Sequence, residues 1–181
     1  VVCRRQRQMC IRDRAGADSD PAVRAAALLA LARHGGPEDA PLFQTALTST
    51  HRVERRAAAI FAQRVHMPEL IPFLAESAND PEEDIQVRRD LTVALSQYEN
   101  DLAVDALVSS LDASRYAIVE AGRAGLRRLT GMDHGTDSAL WQSAINASRR
   151  EGQLFARSKP YVFPVYDLSL IHISEPTRRT T

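Results

Sequence analysis

Cysteine is almost missing from this chain. Cys3 and Cys10 lie within the first ten residues and none follows. A disulfide framework, a thiolate–zinc site and a cysteine nucleophile therefore have no residues to use over the rest of the sequence. Lysine occurs once, at Lys159, so the cationic side chains are nearly all arginine. No run approaches the ~18 consecutive apolar residues of a membrane-spanning helix. There is no phosphate-cradling glycine loop and no alternating Asp-x-Asp-x-Asp-Gly calcium loop. The acidic run Glu82-Glu83-Asp84 reads instead as negative charge at a helix N-terminus. His34, His51, His66 and His134 fall near expected helix ends, none one helical turn from another, and none is followed by glutamate. Zinc and iron need several such ligands to converge, so no metal and no cofactor is expected. Ser, His and Asp are all present, but no local context marks a nucleophile.

What is present is a repeat. Val23-Arg24, Ala26-Ala27 and Ala30-Leu31 in the first copy correspond to Glu54-Arg55, Ala57-Ala58 and Phe61-Ala62 in the second. Val87-Arg88, Asp90-Leu91 and Ala94-Leu95 keep the frame, and so do Ile118-Val119, Ala121-Gly122 and Gly125-Leu126 without the arginine. The offsets are 31, 33 and 31 residues, the period of a stacked repeat array. Within each copy the small and apolar residues recur at helical spacing and leave one face for a neighbour.

The two ends stand apart from this pattern. Residues 4–14 read RRQRQMCIRDR and residues 168–178 read LSLIHISEPTR. Both resemble translations of the adapters used in transposase-based sequencing libraries. Codons that fit Met9–Arg14, ATG TGT ATA AGA GAC AG, read on the opposite strand give CTG TCT CTT ATA CAC AT, which fits Leu168–Ile173. Residues 1–14 and 168–181 are therefore set aside as adapter-derived, the first stretch as disordered, and excluded from fold reasoning. Between Ala15 and Asp167, 16 basic residues stand against 21 acidic ones, a net charge of −5 rather than zero. That balance argues against nucleic acid as a partner. The 153 residues of this stretch suffice for about one domain.

Helix signals divide residues 15–131 into pairs. Asp18 or Asp20 caps a helix with Pro21 in its first turn, ending at Gly35-Gly36. Pro37 and Pro68 open first helices, with Pro41 and Pro72 at matching places where a bend is expected. The later second helices, one holding Arg55 and Arg56 after a Thr48–His51 loop and running to about Val65, one over Ile85 to about Tyr98 and one over Arg115 to Leu129, carry the repeated motif, and the series closes at Thr130-Gly131. The first copy lacks its first helix, so the array is expected to continue upstream. Asp137 or Thr136 caps a helix through about Ser148, and Arg149–Gly152 forms a hinge. Half of the ten aromatics between Ala15 and Asp167 lie at Trp141, Phe155, Tyr161, Phe163 and Tyr166. With Pro160 and Pro164, residues 159–166 should be extended, either folded back along the array or part of a following domain.

The frame V-R-x-A-A-x-x-A-L, preceded by Asp-Pro and followed by Gly, resembles the short bacterial HEAT repeats, also called PBS-lyase-like HEAT repeats. The resemblance covers Asp20 to Gly131. It implies an all-α, right-handed α-solenoid of stacked antiparallel helix pairs that acts as an interaction scaffold. It also implies that Arg24, Arg55 and Arg88 form a structural ladder, each bonding an inter-repeat loop and an aspartate such as Asp20 or Asp84. Some relatives are enzymes, including bilin lyases and a hydroxylase whose iron ligands are His-Glu pairs; those pairs are absent here. The Leu129-Thr130-Gly131-x-Asp133…Trp141 arrangement resembles the segment that closes such arrays, with Trp141 as a cap.

The organisation expected is repeats over 15–131, a capping segment over 132–150 and an extended aromatic tail over 151–167. Arg56, Gln63, Arg89 and Gln97 lie outside the packed frame and form the candidate interaction surface for a protein partner. The expected function is a non-catalytic scaffold. The alternative is a lyase-type HEAT protein, or the regulatory arm of a larger enzyme whose catalytic part lies outside this stretch. A cytoplasmic location is favoured, with the cell envelope left open.

Overall fold

A computed structural model describes residues 2–34, 36–155 and 161–164. Among them are nine α-helices and no strand: α1 Val2–Ala17, α2 Pro21–His34, α3 Ala40–Leu47, α4 Arg52–Ala62, α5 Ile71–Asn79, α6 Ile85–Leu95, α7 Asp101–Ser110, α8 Tyr116–Thr130 and α9 Ser138–Arg150. Single 3₁₀ turns at Pro37–Asp39 and Pro68–Leu70 lead into α3 and α5. Pro41 and Pro72 sit in the first turns of these helices, where a missing N–H leaves no bond unmade. The expected bends are thus junctions from a 3₁₀ turn to an α-helix.

Helix limits follow local chemistry. Asp84 caps α6 by accepting from the backbone N–H groups of Gln86 and Val87, and Asn100 caps α7 in the same way through Leu102 and Ala103. Asp20 accepts from Ala22 N–H at 2.8 Å at the start of α2. Gly131, at φ 74°, stops α8 in the left-handed conformation that glycine adopts without a Cβ clash.

The helices pack as α1/α2, α3/α4, α5/α6 and α7/α8, with α2, α4, α6 and α8 touching in succession as one layer. This is an all-helical array consistent with an α-solenoid. One continuous core runs through it, from Leu28 and Leu31 through Phe43, Phe61, Leu74, Leu91, Leu107 and Leu126 to Trp141. The apolar face of each helix is buried by the next pair, which is why one pair alone would not be stable. At the far end α9 packs against α7. Trp141 is fully buried and donates its indole N–H to the Gly135 carbonyl at 2.9 Å.

Two expectations change at the N-terminal end. The first copy does not lack a first helix, because α1 packs against α2 in that place. Residues 2–14 are helical rather than disordered: Ile11 packs on the core, and Arg12 binds Asp39 at 2.6 Å and Glu38 at 2.8 Å. A run rich in Arg, Gln and Met with no interior proline has high helix propensity. Beside the apolar face of α2 it gains the packing that stabilises a helix, whatever DNA encoded it. Residues 156–160 and 165–181, including about half of the proposed extended tail and the C-terminal adapter-like stretch, lie outside the described residues. Within residues 161–164, Phe163 lies against the rings of His66 and Tyr98, with centroids 4.8 and 5.7 Å apart. That piece of the tail folds back on the helical array.

Candidate functional site

The arginines of the repeat frame separate into two sets with different surroundings. Arg24, Arg55 and Arg88 begin successive second helices and turn toward the loops in front of them. Arg24 donates to the Asp18 carbonyl at 2.6 Å and to Glu54 at 2.5 Å. Arg55 donates to the Ser49 carbonyl at 2.7 Å and forks onto Glu83 at 2.6 and 2.8 Å. Arg88 reaches the Ala78 carbonyl at 3.1 Å. Arg24 and Arg55 each tie a loop carbonyl and also the next repeat, whereas Arg88 ties the last turn of α5. The acidic partners are Glu54 and Glu83, not the expected Asp20, which caps α2, or Asp84, which caps α6 and meets Arg52. The hydrogen bonds that Arg55 donates to Glu83 raise the pKa of its guanidinium above the ordinary value. The donors of Arg24 and Arg55 have little left for a ligand.

The second set surrounds Asp90 on α6. Asp90 is buried, yet it accepts from Arg56 Nε at 2.8 Å and lies 3.4 Å from Arg89 Nη1. Its backbone carbonyl accepts from the Gln63 side chain at 2.9 Å. A buried carboxylate is tolerable only when paired; this one holds Arg56 and Arg89, and the backbone of the same residue holds Gln63, three of the four candidate surface residues. Arg56 and Arg89 remain 46% and 53% exposed. Each is therefore anchored at one end while most of its N–H fork faces outward.

Gln97 does not join them. It is 6% exposed rather than solvent-facing, and its carbonyl accepts the Tyr161 hydroxyl. The reason lies one residue on. Tyr98 is buried with its hydroxyl bonded to the Ala62 carbonyl at 2.9 Å at the end of α4, which draws the α6–α7 connection inward. Burial pushes the Tyr98 hydroxyl pKa upward.

Sequence reasoning named the arginines and missed Glu54, Glu83 and Asp90. A signal for two of them was present. Glu54 occupies a frame position filled elsewhere by Val23, Val87 and Ile118, and Asp90 one filled by Ala26, Ala57 and Ala121. Charge at a position that is apolar in the other copies implies a paired buried ion.

Among the described residues no three His, Cys, Asp or Glu side chains come close enough to hold a metal ion. No described helix is long and apolar enough to cross a membrane. A cavity of about 610 Å³ lies between the α3–α4 and α5–α6 connections, lined by Arg55, Phe73, Glu76 and Glu82 among others and not by Asp90.

Residues 8–63 match the family model described as HEAT repeats. The match begins inside the stretch set aside as adapter-derived and ends at Gln63. It supports a HEAT-repeat protein, a class that commonly mediates interactions between proteins. No curated protein matches the chain.

Proposed function

We infer that this HEAT-repeat chain is a non-catalytic scaffold that binds another protein on the layer formed by α2, α4, α6 and α8. In this reading the array is a right-handed solenoid of the short bacterial type, that layer is its concave side, and α9 with Trp141 closes its end. The observation that carries the reading is the contrast between the two arginine sets. Arg24 and Arg55 are consumed by loops and neighbouring repeats, whereas Arg56 and Arg89 are fixed by Asp90 and left open to solvent. Anchored, exposed arginines on a rigid helical layer suit recognition because little side-chain freedom is lost on binding.

Placing a photo-crosslinking amino acid at Ile60, and separately at exposed Phe73 on the opposite side, tests this in source cells. A discrete protein adduct from position 60 that is absent from position 73 is expected, and it should fade when Arg56 and Arg89 are both changed to Gln. Equal labelling from the two positions, or none, defeats the reading. A tight complex with a tetrapyrrole or a divalent metal, seen as a large rise in Tm, would favour the enzymatic alternative instead.

A further inference from the structure

The offsets of the repeat organise the exposed face of the second helices into rows. Leu29, Ile60 and Val93 are equivalent positions on α2, α4 and α6, 31 and 33 residues apart. Leu29 is exposed, and Ile60 and Val93 are half-buried, so a discontinuous apolar row runs across the layer. Arg56 and Arg89 are equivalent to each other on one flank of this row, four residues before Ile60 and Val93. Arg33 and Arg64, also equivalent and also exposed, stand on the other flank, four residues after Leu29 and Ile60. Four-residue spacing on a helix places Arg56 beside Ile60, Arg89 beside Val93 and Leu29 beside Arg33, and Arg64 stands in the turn just past the end of α4.

The sign of this face is opposite to that of the stretch that builds it. Residues 15–167 carry a net charge of −5, with Asp80, Glu82, Glu83 and Asp84 in the α5–α6 connection. On the apolar-row side, Asp90 is buried beneath the arginines rather than displayed. Asp90 takes one edge of each of two guanidiniums, at 2.8 and 3.4 Å, and leaves their remaining donors forked toward solvent. That geometry matches a carboxylate bidentately.

We propose that the occupant of this face is an acidic, amphipathic segment of a protein partner, with Glu or Asp side chains on Arg56 and Arg89 and apolar side chains along Leu29, Ile60 and Val93. The proposal rests on the scaffold reading above and adds the chemistry of the partner. A nucleic acid would use the arginines but not the apolar row between them. Arg89 donates to Asp90 through the longer contact, so Asp90 keeps Arg56 when Arg89 is removed.

Fluorescence anisotropy on the full chain tests it with labelled peptides built from Glu and Leu, Lys and Leu, Gln and Leu, and Glu and Gly, plus an oligothymidylate. The Glu/Leu peptide should bind, and the other three peptides should bind about tenfold more weakly or worse. Arg89→Gln should weaken Glu/Leu binding several-fold with Tm almost unchanged, and Arg56→Gln with Arg89→Gln should weaken it about tenfold. No binding of the Glu/Leu peptide, equal binding of the Lys/Leu, Gln/Leu or Glu/Gly peptide, or affinity indifferent to Arg89→Gln overturns the proposal. Tight oligothymidylate binding with the same arginine dependence overturns it in favour of nucleic acid. A basic protein crosslinked from position 60 would overturn the acidic partner while leaving the scaffold intact.

Discussion

Arg55 on α4 grips Glu83, 28 positions later in the chain, through two near-parallel hydrogen bonds of 2.6 and 2.8 Å, and at the same time holds the Ser49 carbonyl at 2.7 Å. One side chain thereby fixes the loop before its own helix and the loop before the next second helix. A bidentate charge-assisted pair, four-fifths or more withdrawn from water on both sides, resists screening in a way surface pairs do not.

Arg55→Ala should therefore cost about 1–3 kcal/mol. The drop in Tm should be several degrees, roughly 2–8 °C. Arg52, whose contact with Asp84 is 3.2 Å and largely exposed, is the comparison; Arg52→Ala should change stability by no more than about 0.5 kcal/mol. Equal effects in a calorimetric scan would show that the fork contributes nothing special.

Gly125 sets the approach of α8 to its neighbours. A Cβ built there would lie 2.8 Å from Ser96 Cβ and 3.1 Å from a Leu107 methyl. Gly125→Ala would gain about 1 kcal/mol of helix propensity. The overlap with two packed helices costs about 1–3 kcal/mol. The steric term wins, so thermal denaturation should show a lower Tm; a higher one would mean that α8 is not held this closely.

Asp133 offers a pH test. Hydrogen bonds from Arg123, then from Gly135 N–H, with the charge of Arg127 close by, pull its pKa down to about 2. A depressed folded-state pKa means that folding favours the carboxylate. The contribution of Asp133 to stability is complete above the ordinary carboxylate value of ~3.9 and is lost as pH falls toward about 2. Carboxyl NMR titration should find that low value in the wild type and a return toward ~3.9 in Arg123→Gln. An unchanged titration in the variant would contradict the pairing.

Trp141 carries the junction between α9 and the array. It is fully buried, with its indole N–H bonded to Gly135 and His134 edge-on at 5.0 Å. Trp141→Ala should cost about 3–5 kcal/mol. Leu140→Ala, one residue away and 55% exposed, should cost less than about 0.5 kcal/mol. Denaturant titration separates them, and comparable losses would mean that α9 does not close the array through Trp141.

The termini yield a prediction about DNA. We propose an adapter origin for residues 1–14 and 168–181, so an uninterrupted read of the source DNA should contain neither RRQRQMCIRDR nor LSLIHISEPTR as coding sequence. Their persistence would return Cys3, Cys10 and the basic arm to the natural protein.

The sequence by itself determined the helical character, the pairing of helices and the packed frame. Apolar spacing, Asp and Asn caps, prolines and Gly131 act within a few residues of where they stand, so their consequences can be read locally. It also separated Arg24, Arg55 and Arg88 from Arg56 and Arg89, since a one-residue step on a helix turns a side chain by about 100°. Only the tertiary structure decided what those arginines meet. Glu54 and Glu83 took the ladder arginines Arg24 and Arg55 because they reach across the repeat boundary to them, while Asp20 bonds the backbone beside it and Asp84 divides between the start of α6 and Arg52. Gln97, placed on the surface by its spacing, was drawn inward because Tyr98 bonds the end of α4. Asp90 became the centre of the exposed face because it lies under arginines from two different helices, 34 positions and one position away. The helical period is a local property of the chain, but a carboxylate's partner is settled by which cation the stacking of helices brings within reach.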